Sequence, residues 1–206
     1  MQFSPNSQRR MKGLALVGVL AASTAFAQTA AKPATPTPAA DTAAATGKGT
    51  SDRFTGTAAG LPNVAGETIT VDLIRWSTDD ERGKVVGAKD DKDRLSVLQG
   101  GPNLGYIWRS GSGFGSFIRL ATKFKAADGE HIVLVTDADL SSWKGAASAT
   151  PTFTVLELAP AAGVLVGKLS VGGKVAVDAA NKTLKLDGFA AAPVAVRAVK
   201  HQKGGA

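Results

Sequence analysis

The sequence contains no cysteine and only two histidines, His131 and His201. Without cysteine the chain can form no disulfide, no thiolate metal site and no lipid attachment at a cleavage-site cysteine. The two histidines are far apart in the sequence, and neither an HExxH nor a His-x-His spacing occurs. We therefore predict neither a metal site nor a bound cofactor.

Acidic residues are missing before Asp41, whereas Arg9, Arg10 and Lys12 lie close to the N-terminus. A short apolar stretch follows them and ends in Ala-Phe-Ala at 25–27. This pattern predicts a secretory signal peptide over 1–27. The apolar stretch is shorter than the roughly 20 residues that a membrane-spanning helix needs. We therefore expect an exported protein, periplasmic or secreted, with no transmembrane segment after signal cleavage.

The chain that would remain after removal of the predicted signal peptide also has no strong excess of positive charge. Three of the 24 basic residues and none of the 17 acidic residues lie in 1–27, which leaves 21 basic and 17 acidic residues and a net charge of +4. The basic residues alternate with acids, as in 83–94, and form no stripe with interleaved aromatic residues. Binding to nucleic acid is therefore not expected.

The remaining chain divides by composition into three parts. Residues 28–50 are rich in Ala, Thr and Pro, which predicts a disordered linker because little apolar surface is available to bury. Residues 51–200 have the length of one ordinary domain. Residues 201–206 are expected to be a flexible tail.

Alternation of apolar and polar residues with period two dominates the domain and indicates β-strands. In 116–125 it places Ile118, Leu120, Thr122 and Phe124 on one face, whereas 131–137 is apolar on both faces and predicts an interior strand. The other predicted strands are 68–76, 105–110, 152–158, 163–171, 173–178, 182–189 and 193–200. We predict an all-β fold, a barrel or a sandwich of about eight strands.

A helical insertion is predicted after the first of these strands, over 77–99. Thr78 and Glu81 have the spacing of a capping box, in which the hydroxyl and the acid each accept a hydrogen bond from a backbone N–H. A second short helix is expected to start at Asp90 or Asp91 and to bury Leu95 and Leu98.

Catalysis has few candidates in this sequence. A Ser-His-Asp triad is not expected, because His131 and Asp137 lie about 20 Å apart on one extended strand. A pair of carboxyl groups could hydrolyse a glycosidic bond, and the candidates are Glu157, Asp137 and Asp139.

Aromatic residues at strand ends and in loops are the candidates for binding. They are Trp76, Tyr106, Trp108 and Trp143, with Arg109 or Asp137 as a polar anchor. Such residues can line the mouth of a barrel and hold a small apolar ligand or a cell-envelope component. The alternative is that they fill the barrel ends. Lys200 and Lys203 offer a third hypothesis, adhesion to an anionic wall or membrane surface.

The succession IRWSTDDER (74–82), GYIW (105–108), HIVLVTDADLSSW (131–143), PTFTVLEL (151–158) and GKLSV (167–171) resembles a family of small exported bacterial proteins with no established activity. The resemblance spans roughly 66–200 and implies an exported, single-domain, mostly β protein. It brings no catalytic or binding residue. We predict a non-catalytic binding or structural module, with a small hydrolase as the alternative.

Overall fold

The computed structural model describes residues 52–60, 66–140, 152–171, 175–191 and 194–204. The predicted signal peptide and linker lie outside the described residues, and so does Trp143.

Eight antiparallel strands form one closed barrel, which confirms the all-β prediction in its barrel form. In order around the barrel they are β1 (Asp52–Ala59), β2 (Thr68–Leu73), β3 (Gly105–Arg109), β4 (Ser116–Ala126), β5 (Gly129–Thr136), β6 (Thr154–Ala161), β7 (Val164–Leu169) and β10 (Val194–Lys203). β10 pairs with β1 and closes the barrel. A separate hairpin, β8 (Val175–Asp178) and β9 (Thr183–Leu186), is inserted between β7 and β10.

The predicted helical insertion follows β2, the strand that the sequence predicts first. It consists of α1 (Asp79–Val86) and α2 (Asp91–Gln99). The capping box is present: the Thr78 hydroxyl accepts from the Glu81 N–H, and the Glu81 carboxylate accepts from the Thr78 N–H. One strand, β1, precedes β2 and is not among those predicted from the sequence.

The barrel interior is a packed apolar core. Every barrel strand contributes a buried side chain to it, for example Phe54, Ile69, Ile107, Ile118, Leu134, Leu156, Leu169 and Val196. A cavity of about 10 Å³ remains between β3, β4, β5, β6 and β7. One water molecule needs about 10–15 Å³, so this space is too small for an apolar ligand.

A second apolar layer lies outside the barrel wall. Val85, Leu95 and Leu98 of the helices and Leu184 and Leu186 of β9 pack against outward side chains of β4, β5 and β6. Strands covered on both faces must be apolar on both faces. This explains the continuous apolar run of β5, which the sequence places in the interior of the fold.

A β-bulge interrupts β4 and changes its faces. Ile118 pairs with Thr136, but Leu120 pairs with the adjacent Val135, so one extra residue stands on β4. Ile118 therefore belongs to the interior core, whereas Leu120 and Phe124 pack in the outer layer. The prediction that all of them share one face is wrong for Ile118, because strict alternation ends at the bulge.

β10 runs to Lys203, so residues 201–203, which the sequence assigns to a flexible tail, continue the strand that closes the barrel.

Among the described residues, no helix has the length and apolarity needed to cross a bilayer.

Candidate functional site

Arg119 lies at the β4 bulge, on the outer wall of the barrel. Its neighbours Phe117 and Leu120 also lie outside, because the extra residue allows successive side chains to project to the same face. Arg119 is held there by two hydrogen bonds: Nε donates to Asp137 Oδ2 at 2.8 Å, and Nη1 donates to the carbonyl oxygen of Gly101 at 3.0 Å. Asp137 follows β5, and Gly101 follows α2. The guanidinium group thus ties the helical insertion to the barrel wall.

A cleft of about 190 Å³ opens beside Arg119. We call it the Arg119 cleft, and it is lined by Glu81, Lys84, Val85, Val97, Gly100, Gly101, Pro102 and Arg119. The two helices supply half of these residues, and the glycines that follow α2 line the cleft with main-chain atoms. The cleft therefore combines apolar side chains, charged side chains and backbone polar groups.

Two exposed aromatic rings continue from this cleft along the outer wall. The Arg119 Cζ atom lies 4.8 Å from the centre of the Phe117 ring, and that ring lies 5.5 Å from the Tyr106 ring. Tyr106 is 38% exposed and Phe117 is 42% exposed. We call this pair the aromatic shelf. It is contiguous with the Arg119 cleft because Arg119 contacts both.

The Glu81 carboxylate in the cleft is held by several hydrogen bonds. Both of its carboxylate oxygens accept hydrogen bonds from the Arg75 guanidinium, at 2.7 and 2.9 Å. These bonds, together with the one from the Thr78 N–H, lower the pKa of Glu81 to about 2. The carboxylate is therefore ionised at any physiological pH, and its charge is matched by Arg75.

Trp108 and Arg109 follow Tyr106 on β3 but lie in different surroundings. Trp108 projects from the same outer face as Tyr106 and is half-buried. A Cβ on Gly115 would lie 3.4 Å from its ring, so the glycine-rich turn passes close to Trp108. Arg109 forms an ion pair with Glu67 at 3.3 Å. Of the residues predicted to bind, Tyr106, Trp108 and Asp137 thus lie on the outer wall.

Trp76 packs against the interior core at the end of the barrel. Its Nε1 donates to Asp52 Oδ2 at 3.0 Å, and the other oxygen of this buried carboxylate contacts Nε2 of His201. The Lys123 ammonium lies 5.0 Å from the Trp76 ring. Trp76 therefore fills one end of the barrel, which is the alternative that the sequence leaves open for the aromatic residues.

The acids proposed for hydrolysis are separated. Glu157 lies opposite Val133 on β5, whereas Asp137 lies four residues after Val133, beyond the end of β5. Glu157 is buried: Oε2 accepts from the Leu186 N–H at 2.9 Å, and Oε1 is 3.4 Å from Nδ1 of His131. Asp137 is paired with Arg119, and Asp139 is half-buried beyond the end of β5.

His131 lies between two carboxylates on the outer wall. Its Nε2 is 2.8 Å from Asp128 Oδ1, and the hydrogen bond lowers the pKa of Asp128. Within the described part of the chain, no group of three or more His, Asp or Glu side chains is placed to hold a metal ion.

Lys200 and Lys203 are exposed on β10.

Arg119 and Phe117 are not among the candidate site residues predicted from the sequence. Both face away from Ile118 in the period-two pattern of β4, and that outward position was the available signal. The contact of Arg119 with Gly101 depends on the fold of the helical insertion.

Comparison with known proteins gave no match: no family model, no curated protein and no solved structure is similar to this chain.

Proposed function

We propose that the domain is a non-catalytic binding module that holds its ligand on the outer wall of the barrel, in the Arg119 cleft and against the aromatic shelf. The observation that carries this proposal is the contrast between inside and outside. The interior cavity lined by described residues measures about 10 Å³, whereas the outer cleft measures about 190 Å³ and has two exposed rings beside it. An apolar ligand inside the barrel finds no support in this packing.

The positions of the acids give the hydrolase hypothesis no support. Glycosidases hold their two carboxyl groups about 5–10 Å apart across an open cleft. Glu157 is buried under β9 and Asp137 is engaged by Arg119, so neither carboxylate is presented to a substrate in a shared cleft. Binding without chemistry is the simpler function for such a surface.

We further propose that the protein acts outside the cytoplasm, where a cell-envelope component would be its partner. This part depends on the N-terminal pattern of positive charge, apolar stretch and small residues. The measurement is the mass of the protein purified from its own host. We expect the chain to begin at Gln28, and a chain that retains residues 1–27 would contradict export by cleavage.

Binding at the outer wall can be tested by NMR on ¹⁵N-labelled protein purified from its host. A chemically diverse fragment library is the probe. We expect amide shifts that cluster at Gly100, Gly101, Tyr106 and Arg119. Shifts centred on interior residues such as Leu134, or no shifts around the cleft, would overturn the proposal.

Two variants make this test specific to the surface. Phe117→Ala removes an exposed ring of the aromatic shelf and should abolish the shifts without unfolding the protein. Val164→Ala is the matched control, because Val164 is 55% exposed on β7, three strands away from β4. The control should bind like the unaltered protein.

A further inference from the structure

Three arginines around the Arg119 cleft and the aromatic shelf are each paired with an acid. Arg75 is paired with Glu81 and Arg119 with Asp137. Beside Tyr106, its cross-strand neighbour Asp72 is paired with Arg53. Three arginines and three acids therefore present many hydrogen-bond donors and acceptors while their charges cancel locally.

Such a surface favours a neutral polar ligand over an ion. An anion would need cations that are not already neutralised, and each arginine here has a carboxylate partner. Lys84 adds a positive charge at the cleft, but it is exposed to solvent, where a lone charge is strongly screened. Long-range attraction of an anionic ligand is therefore weak at this site.

The aromatic shelf adds a requirement for apolar surface on the same ligand. The exposed rings of Tyr106 and Phe117 favour binding, because covering apolar surface lowers the free energy. Tyr106 also carries a hydroxyl group. A sugar ring meets both requirements, because its C–H groups form an apolar face and its hydroxyl groups form a polar edge. A lipid tail would cover the rings but would form no hydrogen bonds with the ion-paired side chains beside them.

The size of the cleft agrees with a ligand of this kind. Its volume of about 190 Å³ corresponds to about six water molecules at ~30 Å³ each, which is the scale of one sugar ring with its hydroxyl groups. An extended peptide is less suited to the aromatic shelf, because Tyr106 and Phe117 face each other across the paired strands β3 and β4. A peptide could not add a strand at that position.

We propose that the Arg119 cleft and the aromatic shelf bind a neutral oligosaccharide, with one sugar unit in the cleft beside Arg119 and the next against Tyr106 and Phe117. The proposal rests on the function proposed above and names the class of ligand. The Arg119–Asp137 and Arg75–Glu81 pairs donate to and accept from hydroxyl groups, and the rings cover the apolar face of the sugar.

The test is isothermal titration of the protein purified from its host with defined tetrasaccharides. The neutral probes are chitotetraose, cellotetraose, maltotetraose and mannotetraose, and tetragalacturonate is the acidic comparator. We expect at least one neutral probe to bind and its affinity to change less than twofold between about 0.05 and 0.5 M NaCl, because no net charge is involved.

Variants locate the bound saccharide. Phe117→Ala and Tyr106→Ala should each raise the Kd by about tenfold or more, because each removes ring surface that the sugar covers. Val164→Ala should leave the Kd unchanged. Equal melting temperatures for all variants would show that a loss of affinity is not a loss of fold.

The outcomes separate this inference from the function proposed above. If no neutral probe binds, or if only tetragalacturonate binds and high salt removes it, the inference is overturned. In either case, fragments that still shift the amides of the cleft would leave the outer-wall binding function standing. If neutral saccharides bind but Phe117→Ala and Tyr106→Ala have no effect, the assigned site is wrong.

Discussion

Glu81 links the helical insertion to the end of β2 through one carboxylate. It accepts from the Thr78 N–H at the start of α1 and from both terminal nitrogens of Arg75. Its pKa is lowered to about 2 from an ordinary value of 4.5. Because the pKa is lower in the folded state, the stabilisation is present above about pH 4.5 and is lost as the pH falls towards 2.

A substitution that removes the charge of Glu81 but keeps the shape of its side chain isolates the contribution of the charge to stability. In Glu81→Gln the side-chain carbonyl can still accept from Thr78, but the ion pair with Arg75 is lost. We expect the free energy of unfolding in urea to fall by about 0.5–1 kcal/mol at neutral pH. The difference between the variant and the unaltered protein should shrink steadily as the pH is lowered to about 3. A difference that is independent of pH would contradict this account.

Two glycines provide opposite predictions for the same substitution. At Gly105, φ is +158° and a Cβ would lie 2.2 Å from the carbonyl oxygen of Asp72. This oxygen belongs to the backbone of β2 and cannot shift without displacing the strand. Gly105→Ala should therefore cost about 3 kcal/mol or more. Gly83 lies inside α1 with nothing within 4 Å of the added carbon, so Gly83→Ala should gain about 1 kcal/mol. Urea unfolding of both variants checks the signs, and a neutral Gly105→Ala would refute the steric argument.

At the scale of single residues, local patterns could be predicted from the sequence. The Thr78–Glu81 capping box depends on residues three apart, and so does the burial of Leu95 and Leu98 on α2. The partners of His201 could not be predicted, because Asp52 is separated from it by 149 positions in the chain. The residues around His201 are mostly polar, which is typical of a flexible tail. In the structure His201 belongs to β10, which pairs with β1.

At the scale of elements, the hairpin β8–β9 is attached to the barrel by a polar contact as well as by apolar packing. Leu184 and Leu186 pack in the outer layer, and the Leu186 N–H donates to buried Glu157 on β6. In Glu157→Ala that buried N–H would lose its acceptor, and His131 would lose one of its two carboxylate neighbours. We expect a cost of about 1–3 kcal/mol.

Hydrogen exchange locates the effect of Glu157→Ala. Amides of 183–186 should exchange faster, whereas those of the interior strands β3 and β4 should keep their protection. Glu130→Ala is the control, because Glu130 is exposed on the neighbouring strand β5. Uniform loss of protection across the barrel would mean that Glu157 supports the whole fold rather than the docking of the hairpin.

The elements show why the candidate site was only partly predictable. Period two on β3 correctly groups Tyr106 with Trp108 on one face. On β4 the same rule fails after Ile118, because a bulge has no signature in the alternation of SFIRLATKFK. The partners of Arg119, Gly101 and Asp137, belong to the segments after α2 and β5, so the sequence could not reveal that these residues meet.

At the scale of the whole molecule, closure of the barrel depends on the two ends of the domain. The period-two pattern could not decide between a barrel and a sandwich, because both contain alternating strands. That choice is made by the pairing of β1 with β10, which joins Asp52 to Lys203 and Phe54 to His201. β1 was missed from the sequence because DRFTGTAA contains a single large apolar residue, Phe54, and its other residues are small or polar.

Shortening the C-terminus tests this closure. Removal of 200–206 deletes the partners of four β1 residues, Asp52 to Thr55, together with the His201 ring that stacks on Phe54 at 4.5 Å. It also leaves the buried Asp52 carboxylate without its histidine. We expect a loss of several kcal/mol in unfolding free energy and faster hydrogen exchange at 52–55. Removal of 204–206 keeps every residue of β10 and should be neutral. If both deletions are equally harmless, the end of β10 does not contribute to closing the barrel.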